Sequence, residues 1–111
     1  MSDSLRPGLR IVIAQINTVV GDVGGNQGRV LAACEQARDE FKADLVLFPE
    51  LTLSGYPPED LLLRPGLQRR VEAALAGLRE AISGIAAVIG HPAHSPEGLH
   101  NAASVIGADE A

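Results

Sequence analysis

The chain has 111 residues, nine Lys and Arg against fourteen Asp and Glu, and a formal charge of −5. With 46% hydrophobic and 21% charged residues it has the composition of one soluble globular domain, and its acidic balance argues against a nucleic-acid groove. No apolar stretch approaches the roughly 20 residues of a membrane span, and the single cysteine excludes an internal disulfide or a Cys-rich metal site.

Residues 1–8 are polar and contain Pro7-Gly8, which predicts a frayed leader ahead of a domain over 9–111. The leader lacks the apolar segment of a signal peptide, so a cytoplasmic location is expected. Residues 9–16 carry Ile11, Val12, Ile13, Ala14 and Ile16 almost without charge, the pattern of a strand buried on both faces. Gly21, Gly24, Gly25 and Gly28, with Asp22 between, predict a turn-rich loop, and Asn26 is a candidate N-cap. A helix over 27–41 follows from Val30, Cys34, Ala37 and Phe41, which step by 4, 3 and 4.

Residues 44–48 form a second apolar strand, ended by Pro49. A loop over 51–58 leads to a short helix near 59–63, stopped by Pro65-Gly66. Leu67, Val71, Leu75, Leu78 and Ile82 step by 4, 4, 3 and 4, the clearest amphipathic helix in the chain. Strands are expected at 85–90 and 102–106, joined by a Gly/Pro/His/Ser loop over 91–101. This order predicts an α/β fold whose sheet is mostly parallel, with helical crossovers on one face and an antiparallel last pair. Without a closing helix after the last strand, the fold reads as incomplete at its C-terminus.

Four groups of residues invite a chemical reading. The glycines after the first strand fit neither the dinucleotide fingerprint nor a P-loop, which leaves turn chemistry. Cys34 sits on the apolar stripe between Val30 and Ala37, as a small core residue rather than an activated nucleophile. His91, His94 and His100, with Glu97, lack the spacing of a metal site and read as solvated or locally hydrogen-bonded. Glu50 follows Leu45-Val46-Leu47-Phe48-Pro49, at the carboxyl end of a strand, where open α/β sheets place ligands and catalytic groups. A carboxylate beside that apolar run would be partly desolvated and suited to proton transfer. By position alone an ordinary loop glutamate fits equally well.

The 18 residues Phe48-Pro49-Glu50-Leu51-Thr52-Leu53-Ser54-Gly55-Tyr56-Pro57-Pro58-Glu59-Asp60-Leu61-Leu62-Leu63-Arg64-Pro65 go further. Phe-Pro-Glu followed by Ser-Gly-Tyr resembles the first catalytic motif of the nitrilase or carbon–nitrogen hydrolase superfamily. The extension through Arg64-Pro65 resembles one branch, the N-terminal glutaminase domains of glutamine-dependent NAD synthetases. Ile13-Ala14-Gln15-Ile16-Asn17, Val20-Gly21-Asp22-Val23, Gly25-Asn26 and His100-Asn101-Ala102-Ala103 agree with the same branch.

The resemblance implies part of an αββα sandwich and a Glu-Lys-Cys triad that hydrolyses the side-chain amide of glutamine. Glu50 matches the general base, and Tyr56, on the loop leaving it, is either a wall of the glutamine pocket or plain packing. The triad's Lys and Cys are expected beyond Ala111, since Lys42 precedes the second strand and Cys34 lies on the first helix. No metal or cofactor is implied for the glutaminase portion. ATP and magnesium are expected only in a C-terminal synthetase domain, and the complete protein is expected to be a homo-oligomer. Two other readings stay open: a stand-alone amidase or nitrilase, and a short non-catalytic module that pairs its open sheet edge with a partner.

Overall fold

The computed structural model describes residues 9–19, 21–49, 51–54, 66–95 and 98–107, with the backbone alone for 94, 95 and 98–101. The expected leader over 1–8 and the short helix near 59–63 lie outside the described residues. Six elements follow in order: β1 (Ile11–Ile13), α1 (Val23–Asp39), β2 (Leu45–Leu47), α2 (Leu67–Ala81), β3 (Ala86–Ser95) and β4 (Gly98–Gly107). The sheet order is β1-β2-β3-β4, with β1, β2 and β3 parallel and β4 antiparallel to β3.

Two successive parallel crossovers that advance the same way across a sheet leave their helices on one face. One lateral row of side chains, Val12–Val46–Ala87–Ile106, turns toward that face. Val46, Ala87 and Ile106 are buried there in one cluster with Val30, Cys34 and Ala37 of α1 and Val71, Leu75 and Leu78 of α2. The next row, Ile13–Leu47–Val88–Val105, falls on the opposite face by the alternation of a strand. Ile13 is 70% exposed and Val105 71%.

That exposure corrects the first expectation. The strand read over 9–16 is three residues long and sits at the sheet edge, and Ile11 and Ile13 are exposed rather than buried. Its apolar run fits a sheet covered on both sides, and among the described residues only the helix side is covered. The Arg10 backbone N–H donates to Asp44 Oδ2 at 2.8 Å and the Arg10 carbonyl accepts from Asp44 N at 2.7 Å, tying the starts of β1 and β2 together.

The first helix starts four residues earlier than its stripe suggests. Asp22, not Asn26, is the N-cap, and its carboxylate accepts from Gly25 N at 3.1 Å. The glycine segment is therefore mostly the opening of α1, and only Gly21, at φ 84°, makes the turn. The stripe extends back to Val23, while Phe41 falls beyond the helix and is exposed.

The segment read as a loop over 91–101 is instead the far half of a long β3–β4 hairpin, in register from Ala86↔Gly107 to Ser95↔Gly98. Pro92 sits inside β3 opposite Asn101. Pairing of β3 with β2 ends at Val88. Past that point β3 has β4 as its ladder partner, an edge setting in which a residue without an N–H is tolerated. The helix predicted over 67–82 forms almost to the residue.

Candidate active site

The carboxyl ends of β1, β2 and β3 point the same way because the three strands are parallel. The chain leaves β2 there through Phe48 and Pro49, and residues 51–54 form a turn. Glu50 and Tyr56, the two site residues singled out from the sequence, lie outside the described residues. Pro49 and Leu51, on either side of Glu50, are described.

Phe48 N donates to Val88 O at 3.0 Å, which continues the β2–β3 ladder one residue past β2. The Thr52 hydroxyl donates to the carbonyl of Pro49, joining the turn to the end of β2. Leu51 adopts a left-handed φ of 54°, a conformation costing on the order of 1–3 kcal/mol in a non-glycine residue. Leu51, Thr52, Leu53 and Ser54 are all buried. Leu53 N donates to Gly90 O at 3.3 Å, and Ser54 O accepts from Gly21 N at 2.9 Å. The strained turn is thus tied to β3 on one side and to the loop entering α1 on the other, the setting in which strained backbone persists.

Asn26, expected as a helix cap, contributes to this site instead. Its side chain is fully buried, and Nδ2 donates to Leu53 O at 2.9 Å. The residue type gave no distinction between the two uses, since Asn serves both as a cap and as a buried amide clamp. The available signal was the position of Asp22, directly before the first apolar residue of the stripe, Val23.

The other candidates separate from this end of the sheet. Cys34 is buried on α1, and burial, reinforced by Glu35 and opposed by Arg38, pushes its thiol up to about 11. Such a thiol is protonated at neutral pH and is no nucleophile. Lys42 lies at the turn before β2, at the amino end of that strand, away from the 51–54 turn.

Of the two expected settings His91 takes the locally hydrogen-bonded one, and it is buried. Its Nδ1 donates to Pro92 O at 3.0 Å and its Nε2 lies 2.8 Å from Ser104 Oγ. His94 pairs with Leu99 and His100 with Ala93 along the hairpin. Among the described residues no group of three or more His, Cys, Asp or Glu could hold a metal ion. Nor is any described helix long and apolar enough to cross a membrane. A groove of about 310 Å³ among the described residues runs between β1 and α1 past Ile16, Ala33 and Phe41, and the 51–54 turn does not line it.

Comparison with known proteins gives this arrangement a context. Residues 10–111 match the carbon-nitrogen hydrolase family. A glutamine-dependent NAD(+) synthetase of Xanthomonas campestris pv. campestris is 53% identical over 98 residues, covering 88% of this chain and 18% of that protein. The glutamine-dependent NAD+ synthetase of Acinetobacter baumannii, solved with ADP, superposes with a TM-score of 0.82 at 36% identity, over 89% of this chain and 19% of that one. A mutant amidase from Nesterenkonia sp., captured with acrylamide added at its active-site cysteine, superposes with a TM-score of 0.72 at 28% identity, over 88% of this chain and 39% of that one. The chain thus spans less than a fifth of the synthetases that it matches. A family match across nearly the whole sequence, together with this sheet and its helices, settles the classification: the chain belongs to the carbon-nitrogen hydrolase family.

Proposed function

We propose that this chain is the leading portion of the glutamine-hydrolysing domain of a glutamine-dependent NAD synthetase, with Glu50 as the general base. The observation that carries the reading is the 48–54 segment. Its residues match that branch, and the described neighbours of Glu50 are held at the carboxyl ends of the parallel strands by the Phe48, Thr52 and Leu53 hydrogen bonds.

In the proposed reaction a cysteine thiol attacks the glutamine side-chain amide carbon while Glu50 accepts the thiol proton. Collapse of the tetrahedral intermediate breaks the C–N bond, and Glu50 returns the proton to the departing ammonia. Water then cleaves the thioester, releasing glutamate and the free cysteine. A lysine stabilises the oxyanion at both stages. Neither Cys34, buried in the core, nor Lys42, at the wrong end of β2, fits these roles. In this reading those two members come from elsewhere in the complete protein.

The ammonia would feed ATP-dependent amidation of the deamido precursor of NAD in the synthetase domain. Among the described residues, the glycine-rich entry to α1 is capped by the Asp22 carboxylate, which repels a phosphate.

Ammonia release by the complete protein, measured with glutamine and with a panel of short aliphatic amides and nitriles, tests the substrate. Turnover concentrated on glutamine is the expected result. Turnover of the simple amides with glutamine inert would replace this reading with that of a stand-alone amidase.

A further inference from the structure

We propose that Asn26 is a positioning residue for the Glu50 turn, an inference that rests on the role proposed above for Glu50. The Asn26 amide is fully buried and uses its whole hydrogen-bonding capacity of two donors and two acceptors. Its Oδ1 accepts from Val19 N at 2.9 Å and from Arg29 Nη1 at 3.1 Å. Its Nδ2 donates to Val19 O and to Leu53 O, both at 2.9 Å. One side chain therefore joins the segment leaving β1, the opening of α1 and the turn that follows Glu50.

None of these bonds serves as the helix cap, which Asp22 supplies. An apolar residue could fill the same volume without desolvating an amide, so what the asparagine adds is the connection to the two loops. The contact with Leu53 carries the inference. Leu53 lies three residues beyond Glu50, its carbonyl is held by Asn26, and its N–H is held by Gly90 O. The Thr52 hydroxyl passes that restraint back to Pro49, on the other side of Glu50. The turn is thereby fixed to a 17-residue helix rather than to neighbouring loops alone.

Gly25 is part of the same device. A Cβ there would stand 2.1 Å from Asp22 Oδ2 and 2.9 Å from Arg29 Nη1, so the glycine leaves room for the guanidinium that completes the Asn26 bonds.

The test uses the complete protein with Asn26→Asp and Asn26→Ala, and with Asn26→Ser as a milder change should either fail to fold. Val30→Ala, a core truncation on the same helix with no hydrogen bond to the turn, is the stability control. Glutamine-dependent kcat and KM, ammonia-dependent synthesis and Tm are read together. A displaced base predicts glutamine kcat lowered by about 10- to 100-fold at little-changed KM, with ammonia-dependent synthesis intact. Val30→Ala, at a similar loss of Tm, keeps its glutamine kcat.

Glutamine kcat that follows Tm alike in the Asn26 variants and in Val30→Ala would overturn the inference, as would Asn26 variants with unchanged kcat. Glu50→Gln separates the two layers. If that variant is inactive on glutamine while the Asn26 variants are unaffected, only the positioning role fails. If Glu50→Gln is fully active, the role of Glu50 fails, and the positioning role with it.

Discussion

Cys34 shows how a single position is decided by its surroundings. It lies on α1 between Val30 and Ala37, in the layer where the helix meets the sheet. Burial favours the neutral thiol and lifts it from its ordinary 9.0 to about 11. A folded-state value above the unfolded one means that the folded protein holds this proton more tightly. The resulting stability is fully present below pH 9 and is lost as pH rises toward 11. Urea midpoints for wild type and Cys34→Ala, followed across pH, read this directly. The advantage of wild type stays constant up to about pH 9 and narrows between 9 and 11, whereas a gap independent of pH would mean that the thiol is solvated. Asn26 is the opposite case, a polar residue that is buried because every one of its hydrogen-bonding groups is met.

At the scale of elements, the start of α1 separates two kinds of glycine. At Gly25 a methyl group would collide with the capping carboxylate of Asp22, whereas at Gly28 nothing lies within 4 Å. Gly28→Ala therefore gains helix propensity, worth about 0.5–1 kcal/mol, and raises Tm. Gly25→Ala gains the same propensity but disrupts a cap worth about 0.5–2 kcal/mol, and lowers Tm. Thermal unfolding of the two variants checks the pair, and a shift of the same sign in both would contradict the cap.

The same elements mark what the sequence could express. The stripe of α2 was legible because its buried residues Leu67, Val71, Ala74, Leu75 and Leu78 recur at helical spacing on one face, and its bounds follow the stripe. The start of α1 was not, because glycines that punctuate loops in most settings here give room for a cap and a guanidinium. The hairpin was obscured by Pro92, whose cost vanishes only because β2 stops pairing at Val88. Glu50 could be singled out by its place after an apolar strand and by its motif. The bond between Asn26 and the Leu53 carbonyl was hidden because the two are 27 residues apart and meet through a backbone atom.

At the scale of the molecule, the two faces of the sheet differ. One is closed by α1 and α2, while the other presents Ile11, Ile13 and Val105 to solvent beside half-buried Leu47 and Val88. A contiguous apolar surface of this kind drives association. The 111-residue chain alone is accordingly expected to bind a hydrophobic dye and to self-associate at micromolar concentration. Ile13→Lys combined with Val105→Lys should suppress both without loss of helical circular dichroism. A monomeric wild-type chain that leaves the dye unbound in analytical ultracentrifugation and fluorescence would show that this face is closed in solution.

The claim that binds these scales together is that the pinned turn after β2 presents a general base for glutamine hydrolysis. The most direct measurement compares glutamine-dependent and ammonia-dependent NAD synthesis in the complete protein, wild type against Glu50→Gln. The substitution keeps the size and the hydrogen-bonding head of the side chain and removes its capacity to accept the proton. Glutamine-dependent turnover is predicted to fall by about 10²–10⁴-fold while ammonia-dependent synthesis is unchanged. A parallel fall of both activities together with Tm, or glutamine turnover at the wild-type rate, would contradict the account.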